Sequence, residues 1–279
     1  MTSRPTALLA LAVPLLAASV AAAPQDSRPA ADTRAASRPT DAAEADAAAV
    51  LEGIDRRLYY AEREGLTAVR FSYRPDSRGT LAADFRVVVS WKKGAAAEVA
   101  FVALDGSPLA ESPKLLDQPD PGRSDRTLRK AFEEGGRSLS LMFRGTPYSE
   151  VYRDHRKRTE RRTVNGREET AVICEPTTAG RFRREELHLG ADGMPWKIVK
   201  RLTRPEHGME SIVLYPSFAE VAGRLAMTGY KEETAGRLDQ VAIEYQRVGR
   251  FIVPASYERI IKDAQTTGRT VFDDVTVEP

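Results

Sequence analysis

The feature that most restricts the fold of this chain is a change in hydrophobic period. From Pro147 onward, apolar residues recur at every second position in segments separated by turn dipeptides such as Asn165-Gly166 and Asp192-Gly193. A period of two sets alternate side chains on opposite faces of a strand, and Asn-Gly and Asp-Gly supply the positive-φ residues of tight hairpins. Met194, Trp196 and Ile198 share one face of such a strand, and Val241, Ile243 and Tyr245 share a face of a later one. Gly249 suits a turn. Pro254 donates no ladder hydrogen bond and suits an edge or a bulge. The last strands fall near residues 255–263 and 269–277.

Before Pro147 the period is mixed. Val50, Ile54, Leu58 and Ala61 recur at four, four and three residues, which predicts one amphipathic helix closed by Gly65. Phe85, Val87, Val89 and Trp91 then alternate with Arg86, Val88 and Ser90, a strand with one strongly apolar face; Lys92-Lys93-Gly94 is its turn, and residues 99–104 return as the next strand. After a Pro- and Gly-rich loop, Ser124 and Asp125 cap a second helix carrying Leu128, Ala131, Phe132, Leu139, Met142 and Phe143. Gly135-Gly136 in its middle allows one kinked helix or two short ones. The expected architecture is α+β: about two main helices and about nine or ten strands in an antiparallel sheet large enough to curl.

The apolar run at residues 8–18 follows Arg4 and yields to the small residues Ser19-Val20-Ala21-Ala22-Ala23. It is short for a membrane span of about 20 residues and contains Pro14, so it reads as a cleaved signal peptide, residues 1–22. Residues 23–45 are rich in Ala, Pro, Ser, Asp and Arg without aromatics and read as a disordered tether. A single β-rich domain follows at residues 46–279. The expected location is periplasmic or secreted, with no transmembrane anchor after processing.

Chemistry is sparse. The one cysteine, Cys174, excludes an internal disulfide and Cys-cluster metal sites and reads as a small buried hydrophobe. His155, His188 and His207 match no zinc spacing, and no P-loop, serine elbow or dinucleotide glycine pattern accompanies them; the expectation is a non-enzyme with no cofactor and no metal. His155 reads as solvated. With 42 Lys and Arg against 40 Asp and Glu, the net charge of +2 gives no reason to expect nucleic acid. The local excess at Arg153, Arg156, Lys157, Arg158, Arg161, Arg162 and Arg167 forms either a basic rim for phosphate head groups or a hairpin that uses Arg for solubility and edge protection.

The order of these elements resembles the periplasmic lipoprotein-carrier fold of the LolA-like superfamily over residues 46–279. Its most telling part is the ending, Tyr245 through Pro254 and then Phe272-Asp273-Asp274-Val275. The resemblance implies a half-open, half-barrel sheet whose helix-covered concave face binds acyl chains or other apolar groups. From the alternation itself, Val87, Val89, Trp91, Trp196 and Ile198 form an apolar surface, with Phe132 and Met142 as helical cover. These residues either enclose a cavity for a lipid or lipoprotein acyl chain or fill one another's space as a packed core. In the second case the chain is an interaction or sensing domain of the cell envelope with a protein partner.

Overall fold

The computed structural model describes residues 41–77, 81–82, 85–109, 125–164, 166–178, 182–204, 208–235, 237–261 and 266–279. The proposed signal peptide, most of the proposed tether, Asn165 and His207 lie outside the described residues. The elements in chain order are α1 (Asp41–Arg57), β1 (Ala68–Tyr73), β2 (Asp76–Ser77), β3 (Leu81–Ala82), β4 (Phe85–Lys92), β5 (Glu98–Ala103), α2 (Asp125–Arg144), α3 (Tyr148–Val151), β6 (His155–Val164) and β7 (Arg167–Pro176). They continue as β8 (Phe182–Leu189), β9 (Pro195–Arg204), β10 (Gly208–Val221), β11 (Arg224–Thr234), β12 (Arg237–Val248), β13 (Phe251–Ile261), β14 (Thr266–Val271) and β15 (Asp273–Glu278).

The residues after α3 form the expected meander. Strands β6 to β14 pair in unbroken sequence order, each with its chain neighbour, in an open nine-stranded antiparallel sheet. A second sheet runs in the order β15-β1-β4-β5. The chain crosses between the two at a single residue, Phe272, so the final segment read as one strand is two. Phe272 is buried, its N–H donates to Ala255 O at 3.0 Å, and its ring meets those of Phe71 and Phe143 edge-on. Anchoring that ring forces the backbone out of one sheet and into the other. The bulge expected at Pro254 is present: Tyr245 pairs with Pro254 and Glu244 with Ser256, leaving Ala255 as the extra residue.

Helix α1 packs on the long sheet and on α3, while α2 packs on β4 and β5 of the second sheet and touches β13. Helix α1 packs on β6 and β7 through Ala47 and Leu51, and Thr159 on β6 donates to Asp46 at 2.7 Å. It begins at Asp41, inside the stretch read as tether, and ends at Arg57, well before Gly65. Leu58 instead forms a parallel bridge to Leu225, and Tyr59 N–H donates to Leu225 O at 2.8 Å. A tertiary backbone contact thus ends a helix that apolar spacing alone would continue.

Helix α2 is continuous through Gly135-Gly136. Packing explains why. A Cβ on Gly136 would lie 3.0 Å from a Val99 methyl and 3.1 Å from a Val89 methyl, so the missing side chain lets the helix backbone sit directly on β4 and β5. Phe85, Val87, Val89 and Trp91 are buried as the alternation requires, and Phe143 stacks on Phe71 at 4.1 Å.

Candidate functional site

Between the helical segments and the middle of the long sheet lies a partly open cavity of about 130 Å³, room for roughly ten waters or a short apolar chain. One wall is the segment after α1, from Leu58 to Ala61. The second is the last two turns of α2 and its exit, including Ser138, Met142, Arg144 and Thr146. The third is α3 with Tyr152. Strands β10 to β13 form the floor through Phe218, Met227, Tyr230, Ile243, Tyr245 and Ile252.

Six of the nine tyrosines in the chain line this space: Tyr59, Tyr60, Tyr148, Tyr152, Tyr230 and Tyr245. Most of their hydroxyls are engaged with the protein, which turns ring surface toward the void. Tyr60 donates to Asp55 at 2.8 Å, Tyr152 to Glu185 at 2.8 Å and Tyr245 to Met227 O at 2.8 Å. The oxygen of Tyr59 accepts from Ile252 N–H at 3.0 Å. Burial pushes all six hydroxyls above the ordinary tyrosine range, so they remain neutral at physiological pH. Met142 and Met227 add unbranched, adaptable side chains.

Two buried carboxylates stand behind the tyrosine wall. Asp55, whose side chain is 0% exposed, accepts from Tyr60, from Tyr148 N–H at 2.7 Å and from Ser149 N–H at 2.9 Å. It therefore ties α1 to the start of α3. Glu185 accepts from Tyr152 and pairs with buried Lys200 at 3.1 Å. At the mouth, Nε and Nη2 of Arg144 both donate to Glu62 at 3.1 Å, and the guanidinium lies 4.3 Å over the Trp91 ring.

Of the residues expected to line a cavity, the structure places Met142 on its wall. Val87, Val89 and Trp91 are instead packed beneath α2, Phe132 on α2 packs edge-on against Phe85 at 5.5 Å, and Ile198 is core. Trp196 lies outside, 45% exposed. Leu189 pairs with Pro195 and His188 with Lys197, so Trp196 is the extra residue of a bulge. That bulge moves its ring onto the outer face, against His188 and Tyr215. Period-two reasoning had no means of registering the inserted residue. Four of the six tyrosines carried no such signal, since Tyr59, Tyr60, Tyr148 and Tyr152 lie outside strands and have no period.

The basic rim is split and largely neutralised. Arg158 pairs with Glu160 and Glu175, and Arg162 with Glu160 and Glu186. Arg184 and Arg201 extend the network to Glu186. Arg153 faces Glu150 at 4.0 Å. Arg156 and Arg161 are exposed and, one odd and one even on β6, project to opposite faces. Glu150 and Glu160 are local, but Glu175 and Glu186 come from the neighbouring strands β7 and β8 and were invisible in the local sequence.

His155 is buried, not solvated: it is 7% exposed and edge-on to Tyr152 at 5.3 Å, and its Nδ1 has no hydrogen-bond partner among the described residues. Burial holds it below its ordinary value. His188 is buried against Glu169 at 2.8 Å. Cys174 is a buried free thiol whose burial pushes it up, so it is unreactive as a thiolate. Among the described residues no three His, Cys, Asp or Glu side chains converge in a way that could hold a metal ion. No helix among them is long and apolar enough to cross a membrane.

No family model and no curated protein matches this sequence. Several solved structures resemble it. A LolA superfamily protein from Nitrosomonas europaea matches at TM-score 0.37 and 10% identity, over 84% of this chain and 94% of that one. A putative outer membrane lipoprotein-sorting protein domain from Vibrio parahaemolyticus matches at TM-score 0.32 and 7% identity, over 84% and 93%. A DUF1329 family protein from Desulfovibrio piger matches at TM-score 0.33 and 7% identity, over 85% and 93%. The likeness to the LolA superfamily is a distant one.

Proposed function

We propose that this chain is an exported, non-catalytic protein that binds or carries an apolar ligand, a lipid or a lipoprotein acyl chain, in the cavity between its helices and its long sheet. The observation that carries this reading is the composition of the wall: six tyrosine rings, two methionines and aliphatic side chains, with a single charged residue that is already paired. Such a void gains free energy by exchanging water for apolar surface, at about 25 cal/mol per Å² removed from water. The lipoprotein-sorting role named for the Vibrio parahaemolyticus domain is consistent with this reading.

Nile red, a neutral dye that brightens in apolar surroundings, tests it. Micromolar binding that is lost in Met142→Glu, with circular dichroism unchanged, is the expected result. No dye binding by the wild type would overturn the reading. A protein-docking role rests on a different observation, the exposed Trp196 and Met209, 45% and 65% accessible. Native mass spectrometry of protein purified from its own envelope separates the two by whether a lipid or a protein comes with it.

A further inference from the structure

The cavity sets a condition on the charge of its occupant. Arg144 is the only formally charged side chain among the described lining residues. Its guanidinium is held by Glu62 and by the Trp91 ring. Near the Tyr59 hydroxyl, Arg224 faces Glu64 at 3.6 Å and Arg250 lies over the Phe251 ring at 5.0 Å. Asp55 and Glu185 stand one side chain behind the wall, bonded to the lining hydroxyls of Tyr60 and Tyr152, and each is paired with its own cation, Arg63 at 3.6 Å and Lys200 at 3.1 Å.

An incoming carboxylate would lose its hydration here and find the one lining cation, Arg144, already engaged by Glu62. A neutral oxygen meets no such penalty. Tyr59 uses its oxygen to accept from Ile252 N–H, so its own proton is left to donate to a ligand.

We infer, on the reading that this cavity is the ligand site, that it selects neutral amphiphiles whose head is an alcohol or ester oxygen and discriminates against fatty carboxylates. The ion pair of Glu62 with Arg144 is the element that enforces this selection, by keeping the one lining cation occupied.

The experiment is displacement of Nile red from the full chain by decanol and by decanoate, a matched pair below micelle-forming concentrations, in wild type and in Glu62→Gln. Decanol should displace the dye at a concentration at least about tenfold below that of decanoate. Decanol also partitions better into any apolar phase, so the variant carries the decision. Glu62→Gln frees Arg144 and should shift the ratio toward decanoate by at least about tenfold. Equal displacement by both compounds in the wild type overturns the charge selection and leaves the cavity as a ligand site. An unchanged ratio in a Glu62→Gln protein with native circular dichroism overturns it as well. Failure of both Nile red and decanol to bind removes the binding reading itself.

Discussion

Replacing Asp55 with alanine should destabilise the fold more than any exposed substitution can. Three donors converge on this carboxylate: the Tyr60 hydroxyl at 2.8 Å, Tyr148 N–H at 2.7 Å and Ser149 N–H at 2.9 Å. The side chain is fully buried, so water does not replace the lost acceptor at the two N–H groups. Hydrogen bonds to a charged group contribute about 1.5–3 kcal/mol each. The Tyr60 hydroxyl borders the cavity and recovers part of its loss there, which leaves an expected cost of about 3–6 kcal/mol. Against a typical total of about 5–15 kcal/mol, that is a large fraction. The melting temperature should fall by about 6–24 °C, at roughly 2–4 °C per kcal/mol for a domain of this size. Asp55→Asn keeps one oxygen but sets an amide N–H₂ against backbone N–H groups, so it should recover less than half of the loss. Urea unfolding followed by far-ultraviolet circular dichroism, with an unchanged m-value, measures both. A loss below about 1 kcal/mol in Asp55→Ala would refute the claim that this carboxylate clamps α1 to α3.

Three other outcomes follow from the geometry. Val89→Glu buries an unpaired charge at a site with 0% exposure and should cost several kcal/mol, unfolding the chain in low urea, whereas Met142→Glu on the cavity wall should stay folded by circular dichroism and lose Nile red. Gly136→Ala should be destabilising by about 1–3 kcal/mol because its Cβ meets Val99 and Val89 in the core, while Gly53→Ala in α1, where only the far end of Arg56 lies within reach, should be stabilising by about 0.5–1 kcal/mol; thermal melts distinguish the two signs. His155 is buried and held below its ordinary value of 6.5, so the unfolded chain binds the proton first: stability is complete above pH 6.5 and declines as pH falls through the interval down to the folded value. His155→Phe should remove that part of the decline, and a stability-pH profile of the variant parallel to the wild type between neutral pH and pH 5 would contradict it.

The class of structure could be read from residue order alone. Period-two alternation placed the meander, although Tyr148–Val151 just after Pro147 form α3 rather than strand, and in β4 it assigned Phe85, Val87, Val89 and Trp91 to the buried face, because a strand's two faces are written directly in residue parity. Glycine and proline marked turns and the β13 bulge for the same local reason: their backbone limits act within one or two residues. The site emerged only once the chain was folded. Its wall draws on the stretch after α1, the end of α2, α3 and four strands, so no window of sequence contains it. Trp196 changed faces through one inserted residue opposite His188 and Leu189. α1 stopped at Arg57 because Leu58 found a strand partner in Leu225, 167 residues along the chain. The arginines of β6 found acids on β7 and β8, which a local count of charge leaves out. Parity and turn chemistry are short-range quantities, whereas enclosure, charge compensation and bulge register depend on which distant segments the fold brings side by side.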